Sequence, residues 1–310
     1  MKKILFPVPV LQEKIWGGSK LRSQYGYDIP SEHTGECWAI SAHPNGDCLI
    51  ANPEYAGMTL SQLWQQHREL FGNAEGDVFP LLIKIIDARE DLSIQVHPND
   101  SYAAIHENGS LGKTECWYVL DCEEGTEIII GHNATDTAHM RQMVEQDQWD
   151  QLLRSFPIQK GDFFQIDPGC LHAIKGGTVI LETQQSSDIT YRFYDYGRTE
   201  NGNPRPLHIE KTLAVTRAPH EDHAQEQTVT QIPGAKITRL VQCHYYSVYR
   251  AEINGTAQFH WTQDFVNVSV LSGSGKLDGM EVKKGDHRII CANYGDMVIE
   301  GQLELMYSHT

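Results

Sequence analysis

The sequence predicts a mainly β protein made of two related β-barrels, with a small helical insertion in the N-terminal half. Short runs of alternating apolar and polar residues recur along the chain between Gly- and Pro-rich turns, which is typical of all-β barrels. The turn Lys160-Gly161-Asp162 recurs as Lys284-Gly285-Asp286, and Tyr118-Val119-Leu120 has a counterpart in Ser269-Val270-Leu271. Two strand-rich halves with matched turns indicate a duplicated barrel.

Composition narrows the functional class. The 310 residues are enough for two domains of ordinary size. With a formal charge of -16, the chain is not expected to bind nucleic acid, whose phosphates need a basic face. Pro7 and Pro9 interrupt the first apolar run and no apolar stretch reaches membrane-spanning length, so we expect no signal peptide and no membrane partner. The seven cysteines contain no Cys-x-x-Cys pair, which predicts free thiols in the cytoplasm.

The first hundred residues predict short strands and one helix. Trp16, next to paired glycines in the first strands, is either a pocket wall or a core residue. A helix is predicted over 59–70, because Thr59 and Gln62 have the spacing of a capping box. The apolar run 80–87 predicts a buried strand, in which Lys84 is an anomaly.

The stretch 92–100 predicts a strand in which Gln95 and His97 share a face, with Pro98 ending it. Both side chains carry metal-ligand atoms, although a hairpin end with a solvated Gln and His would give the same pattern. A short helix is expected to follow, ending near residue 109. In the next strand, 112–120, Lys113 and Glu115 share a face. They form either a surface pair or a buried acid and base that require a metal or an anion.

The middle of the chain supplies the remaining candidates. A helix is predicted over 136–156 and forms the insertion, with a proline ending it. Turns then deliver His172 to a strand, and the stretch 179–198 carries Glu182, Gln184, Arg192 and Arg198. A helix is expected to start near 208. The polar stretch 219–227 predicts a linker, which gives an N-terminal domain over 1–220 and a C-terminal domain over 228–310.

Four candidate ligands come from three strands of the first half: Gln95, His97, Glu115 and His172. Imidazole, carboxylate and amide donors suit zinc with room for substrate. An oxidative iron site would be expected to have His at the position of Gln95, so the set favours a Lewis acid. In the second half the register places Asp296 opposite His172 and Val266 opposite Glu115. We therefore expect no metal there, with His244, His260 and His287 as surface or satisfied polar groups.

Several motifs resemble one known family. They are Ile15-Trp16-Gly17-Gly18, Gly35-Glu36-x-Trp38-Ala39-Ile40-Ser41, Gln95-Val96-His97-Pro98, Gly112-Lys113-Thr114-Glu115, Pro168-Gly169-x-x-His172-Ala173 and the run 188–198. In this order they resemble the type I mannose-6-phosphate isomerases, in particular the short bacterial form. The resemblance covers residues 1 to about 200, and the C-terminal barrel more thinly.

The resemblance implies a double cupin fold, one zinc ion per chain and reversible conversion of mannose 6-phosphate to fructose 6-phosphate. It implies that Gln95, His97, Glu115 and His172 bind the zinc and that Arg192 is the catalytic arginine. Ser93, Lys113, Glu182 and Arg198 also fall at positions similar to active-site positions of the family. The larger members carry an additional helical domain, which this chain replaces at most by the insertion over 136–156.

The residues suggest how such chemistry would work. An aldose–ketose isomerase moves a proton between C1 and C2 through an enediol-type state, with positive charge near the oxygens. Glu182, Lys113 or a zinc-bound water could be the base. Lys113 and Arg198 are the candidates for binding the phosphate of the hexose substrate. Two other classes remain open: a sugar-sensing binding module, and a metal-dependent cupin oxygenase, which the Gln95 position disfavours. No obligatory protein partner is indicated.

Overall fold

The computed structural model describes residues 2–200, 202–222 and 226–310, so the middle of the predicted linker over 219–227 lies outside the described residues. The strands are β1 (Ile4–Leu5), β2 (Pro7–Val8), β3 (Val10–Gly18), β4 (Thr34–Ile40), β5 (Leu49–Ile50), β6 (Leu81–Ala88), β7 (Ile94–Val96), β8 (Glu115–Cys122), β9 (Glu127–His132), β10 (Leu153–Pro157), β11 (Phe163–Ile166), β12 (His172–Ile174), β13 (Thr178–Gln185), β14 (Tyr191–Tyr194), β15 (Thr199–Glu200), β16 (Asn203–Pro204), β17 (Thr228–Ile232), β18 (Ala235–Gln242), β19 (Ser247–Trp261), β20 (Phe265–Leu277), β21 (Met280–Lys283), β22 (His287–Cys291) and β23 (Gly295–His309). The helices are α1 (Lys20–Tyr25), α2 (Leu60–Gln66), α3 (Asp100–His106), α4 (Thr137–Glu145), α5 (Trp149–Leu152) and α6 (Ile209–Val215), with 3-10 turns at Pro53–Tyr55 and Arg68–Phe71.

The N-terminal half is a sandwich of two antiparallel sheets. One sheet has the order β10-β9-β12-β7-β14 and the other β11-β8-β13-β6-β3-β4. Trp117 and Ile180 of the second sheet pack with Ile128 and Ile174 of the first in one buried cluster. The facing sheets place side chains from both into a shared interior.

The C-terminal half is one sheet with the order β1-β22-β20-β23-β19-β18-β17, to which β21 adds at β20. Its long strands β19, β20 and β23 enclose a separate apolar core. The predicted mainly β architecture is confirmed, although the hydrogen-bonded sheets of the described ranges stay open rather than closing into barrels. None of the helices in those ranges combines the length and apolar character needed to cross a bilayer.

The predicted repeat of the turn is confirmed in its hydrogen bonds. The Gly161 N–H donates to the Val119 carbonyl at 2.9 Å, and the Gly285 N–H donates to the Val270 carbonyl at 3.0 Å. In each turn the aspartate side chain accepts from the backbone N–H three residues earlier, at 2.8 Å in the first and 2.9 Å in the second. Both glycines have positive φ, which favours a residue without Cβ.

Local signals located the helices well, apart from the insertion. The Thr59–Gln62 capping box is present in both directions, and α2 begins directly after Thr59. The predicted helix over 136–156 is instead α4 and α5 followed by β10. Asp147 adopts φ 56, which ends helical geometry after α4. The last residues of the segment pair with β9, because a sheet edge offers hydrogen bonds that a helix end does not.

The two halves are joined by more than the linker. β1 pairs with β22, so the residues Ile4 and Leu5 belong to the C-terminal sheet. Phe265 of β20 lies 4.9 Å, between ring centroids, from Phe79 of the N-terminal half. Trp64 and Phe71 complete this aromatic cluster at 6.1 and 5.9 Å from Phe265. The predicted boundary between the domains, at residues 220 and 228, therefore stays a prediction. The two halves share strand pairing and packing contacts.

Candidate metal centre and substrate cavity

Three predicted ligands converge between the two N-terminal sheets. His97 directly follows β7 and precedes Pro98, His172 opens β12, and Glu115 opens β8 on the opposite sheet. Their donor atoms all lie within 4.8 Å of one another. Nε2 of His97 lies 3.5 Å from one Glu115 oxygen, and Nε2 of His172 lies 3.4 Å from the other. All three side chains are buried, so the group is a preformed cluster rather than a surface coincidence.

Both imidazoles are oriented by backbone carbonyls. Nδ1 of His97 lies 2.8 Å from the Ile189 carbonyl, and Nδ1 of His172 lies 2.9 Å from the Cys170 carbonyl. Donation of Nδ1–H to these carbonyls leaves each Nε2 as a lone-pair donor aimed at the cluster. Burial, with His97 next in importance, lowers the pKa of His172 to about 3, and burial and Lys113 lower that of His97. Both rings are therefore neutral, as ligation requires.

The cluster fits a divalent metal ion. Nε2 of His172 and Oε1 of Glu115 are buried without a hydrogen-bond partner, which is costly unless a cation binds them. Burial alone would raise the pKa of Glu115, but Lys113 and His97 lower it below its usual range. Two neutral imidazoles and one carboxylate form a donor set typical of catalytic zinc sites.

Gln95 and Ser93 lie next to the cluster. Gln95 is opposite His172 on one side and Arg192 on the other, in the ladders of β12 and β14. Its side chain therefore shares a face with both, and the Ser93 hydroxyl lies 3.4 Å from Oε1 of Gln95. Gln95 therefore lies between the cavity and the cluster, at a position where its amide oxygen could serve as a fourth ligand.

Lys113 and Glu182 are both buried beside the ligands. Nζ of Lys113 contacts Oε2 of Glu115, lies 3.2 Å from Nε2 of His97 and 4.0 Å from Oε1 of Glu182. Nε1 of Trp117 donates to Glu182 at 3.0 Å. Burial and then Glu115 raise the pKa of Glu182. A carboxylate with a raised pKa and an ammonium group thus lie side by side at the inner end of the cavity.

A cavity of about 430 Å³ lies next to this cluster and is lined by the neighbouring Gln95, Lys113 and Glu182. Arg192 and Arg205 form a cationic part of its wall, with His208 beside them. Arg198 does not line it, since its guanidinium is bound by Asp195 and the Asp91 carbonyl. Asp195 also lies 3.4 Å from NH1 of Arg205. The same aspartate therefore pairs with Arg198, which the sequence analysis selected, and with Arg205, which it missed.

The wall also holds charged residues that the sequence analysis did not select. Glu36, Lys84 and Lys14 line it with Trp38, and Trp16 is confirmed as a wall residue that is also largely buried. The position of Lys84 inside a continuous apolar run was the signal that could have identified it, because a buried ammonium group needs an oppositely charged or hydrogen-bonding partner. Glu36 and Arg205 had no comparable local signal.

Comparisons with known proteins agree with this geometry. A family model described as the type I phosphomannose isomerase catalytic domain matches residues 5–131, and one described as the mannose-6-phosphate isomerase cupin domain matches residues 236–310. The chain is 49% identical to a probable mannose-6-phosphate isomerase of Bacillus subtilis, with 98% of each protein covered. It is 46% identical to the mannose-6-phosphate isomerase of Streptococcus mutans, over 100% of this chain and 99% of that protein.

Solved structures give the same result. The crystal structure of mannose 6-phosphate isomerase from Bacillus subtilis matches with a TM-score of 0.98 and 48% identity, over 99% of both chains. The apo form of the mannose 6-phosphate isomerase from Salmonella typhimurium has a TM-score of 0.77 at 15% identity and so shares the fold. The expected cupin fold is confirmed by these matches.

Proposed function

Because the chain belongs to the type I phosphomannose isomerase family, we propose that it interconverts mannose 6-phosphate and fructose 6-phosphate with one bound zinc ion. The observation that carries the proposal is the buried His97–Glu115–His172 cluster, which lies behind Gln95 and Lys113 of the cavity that Arg192 also lines. Such a cluster beside arginines suits a sugar phosphate better than it suits an uncharged ligand.

His97, Glu115 and His172 would hold the zinc, with Gln95 as a weaker fourth ligand. When bound, the ion would supply positive charge that polarises the sugar oxygens at C1 and C2. Ser93 positions the Gln95 amide through its hydroxyl. The sugar oxygens at C1 and C2 would therefore point toward the cluster, and the rest of the carbon chain would extend away from it through the cavity.

Glu182 is the proposed base that moves the proton between C1 and C2. Its raised pKa brings it closer to neutral pH, where a carboxylate base is most effective. The Lys113 ammonium beside it would stabilise negative charge that develops on the sugar oxygens. Arg192 would do the same from the other side of the cavity, and this makes it the proposed catalytic arginine.

The phosphate would lie at the cationic wall. Arg205 reaches the cavity and would bind the phosphate, whereas Arg198 is held outside the wall by Asp195, which also pairs with Arg205. The free cysteines agree with a location in the reducing cytoplasm, which is part of the proposal.

A coupled assay for fructose 6-phosphate, run with metal analysis of the same preparation, tests the function. We expect turnover that disappears on chelation and returns with zinc. Saturable binding of mannose 6-phosphate without any product would instead indicate a sugar-sensing module. Oxygen consumption with an iron-loaded protein would indicate an oxygenase.

A further inference from the structure

The segment 205–208 is hydrogen-bonded at both ends to β14 and the residues that follow it. The Arg205 N–H donates to the Arg198 carbonyl at 3.3 Å, and the His208 N–H donates to the Arg192 carbonyl at 2.7 Å. The side chains of Arg205 and His208 both line the cavity. The segment therefore brings two side chains to the part of the cavity wall on which Arg192 also lies.

The ring of His208 is held in one tautomer by the backbone of β14. Its Nδ1 lies 3.1 Å from the backbone nitrogen of Arg192, whose N–H donates to it. A ring nitrogen that accepts a hydrogen bond carries no proton, so the proton of the neutral ring is on Nε2. No group in the described ranges forms a hydrogen bond with this Nε2. Because the side chain lines the cavity, its Nε2–H is available to a ligand there.

The surroundings of His208 keep the ring neutral. Burial, then Arg192 and Lys211, lower the pKa of His208, whereas Glu107 raises it. The Glu107 carboxylate already accepts from Nζ of Lys211 and from the Tyr191 hydroxyl, each at 2.6 Å. A proton on Nδ1 of His208 would also face the Arg192 N–H that donates to this atom. The ring is therefore a neutral donor beside Arg192 and not a further cation.

The charges of this part of the wall favour an anion. Nε of Arg192 is buried and has no hydrogen-bond partner among the described residues. Burial, and then the charge of Arg192, lower the pKa of Arg205, so the two guanidinium groups repel each other. A phosphate would relieve this repulsion, and its oxygens accept readily from guanidinium and imidazole N–H groups.

We propose that His208 binds the phosphate of the substrate through Nε2–H and positions Arg192 through Nδ1, so that one ring connects the phosphate to the catalytic arginine. The inference rests on the proposed function and adds to it a residue that acts on both groups. The phosphate takes no part in the proton transfer, but its binding energy would hold Arg192 where negative charge develops. A hexose without phosphate leaves Nε2–H unused, so the enzyme should favour phosphorylated hexoses in kcat as well as in KM.

Asparagine and glutamine at position 208 separate the two contacts of the ring. The side-chain amide of asparagine reaches about as far as Nδ1 of histidine, and that of glutamine about as far as Nε2. His208→Asn should keep the acceptor for the Arg192 N–H and lose the phosphate donor, so KM for mannose 6-phosphate should rise about 10-fold with kcat within about twofold. His208→Gln should keep the donor and lose the acceptor, so kcat should fall about 10-fold with little change in KM.

Inorganic phosphate tests the proposed donor without turnover. Its Kd, measured by isothermal titration calorimetry on the full chain, should rise about 10-fold in His208→Asn and stay within about twofold in His208→Gln. His260→Asn and His260→Gln are the matched controls, because His260 is exposed and pairs with Asp296, and they should change no constant. Thermal midpoints show whether each variant folds, and if one does not, the other decides, since each changes a different constant.

Equal changes of KM and kcat in the two variants of His208 would show that the ring only packs, and would overturn the proposal. An unchanged affinity for inorganic phosphate in His208→Asn would overturn it as well. An unmodified protein that binds inorganic phosphate through His208 but forms no fructose 6-phosphate would support the phosphate contact and overturn the proposed function instead.

Discussion

At the scale of single residues, Arg192 is held in place by hydrogen bonds between its backbone and His208. Its N–H donates to Nδ1 of His208 at 3.1 Å, and its carbonyl accepts from the His208 N–H at 2.7 Å. Nε of Arg192 is buried without a hydrogen-bond partner, although the guanidinium reaches the cavity wall. The loop after β16 thus fixes where this positive charge faces the cavity.

Arg192→Ala should lower kcat by about 10²–10³-fold, because its charge matters most as negative charge develops on the sugar oxygens. Steady-state kinetics in both directions measure the effect. Arg141→Ala is the control, since Arg141 forms an exposed pair with Glu210 far from the proposed chemistry. An unchanged kcat with a raised KM would instead assign Arg192 to the phosphate.

His97→Ala should weaken zinc binding by about 10–100-fold or more, taking the usual loss for an outer-shell partner as the lower limit. Competition with a chelator, followed by metal analysis, gives the affinity. His260→Ala is the matched control, because His260 is exposed and pairs with Asp296. Full zinc content after dialysis of His97→Ala would show that the ligand set is wrong.

Local patterns selected the three residues that the structure brings together, and long-range pairing decided the rest of the site. Strand alternation and the proline after His97 are visible in a few residues, so His97, Glu115 and His172 could be selected from sequence. Arg205 and Glu36 reach the cavity only because of which strands and loops become neighbours. Arg198 was selected, but Asp195 three residues earlier takes up its guanidinium.

At the scale of secondary-structure elements, β20 matters for both halves. Its first residue, Phe265, packs into the aromatic cluster with Trp64, Phe71 and Phe79, and all four side chains are buried. Helix α2, which carries Trp64, is therefore held by the C-terminal sheet as well as by its capping box.

Phe265→Ala should lower the free energy of unfolding by about 3–5 kcal/mol, because it leaves a cavity between the halves. Urea unfolding followed by tryptophan fluorescence measures this loss. Val229→Ala is the control, as Val229 is exposed on β17. A loss no larger than that of the control would mean that the halves pack independently.

The elements also show where sequence patterns stop being informative. The capping box of α2 and the turns were predictable because their hydrogen bonds span three or four residues. The end of the insertion was not, since residues 153–157 form β10 only when the edge of β9 is available. The choice between helix and strand there is made by tertiary structure.

At the scale of the whole molecule, the C-terminal half repeats the turn of the first half, and its described residues form no cluster like that of His97, Glu115 and His172. Val266 is buried in the apolar core and Asp296 lies at the surface. We expect one tightly bound zinc ion per chain, measured by metal analysis after exhaustive dialysis. A second tightly held ion that is lost in His260→Ala or His287→Ala would contradict this expectation.

His287 should make the protein sensitive to acid. Nδ1 lies 2.8 Å from the Ser269 hydroxyl and Nε2 lies 2.9 Å from the hydroxyl of Tyr27, which is in the other half. Burial and Arg288 lower the pKa of His287 to about 3. Between that value and the ordinary one near 6.5, the unfolded chain binds a proton that the folded chain does not. Stability contributed by the neutral ring is therefore lost as the pH falls through this range.

Each pH unit below about 6.5 should cost about 1.4 kcal/mol through this one histidine. His287→Gln should flatten the decline in unfolding free energy between about pH 6 and pH 5 by this amount. Urea titrations at several pH values measure the slope, and His260→Gln serves as the exposed control. The prediction fails if both variants keep the slope of the unmodified protein.

The pairing of β1 with β22 has a consequence for biosynthesis. Ile4 and Leu5 leave the ribosome long before their partners Ile290 and Ile289, which lie more than 280 residues later in the sequence. The sheet edge at β22 therefore stays open until the two distant segments meet, and no contiguous fragment limited to residues 228–310 can complete it. Completion of the C-terminal sheet therefore reports that translation has passed β23.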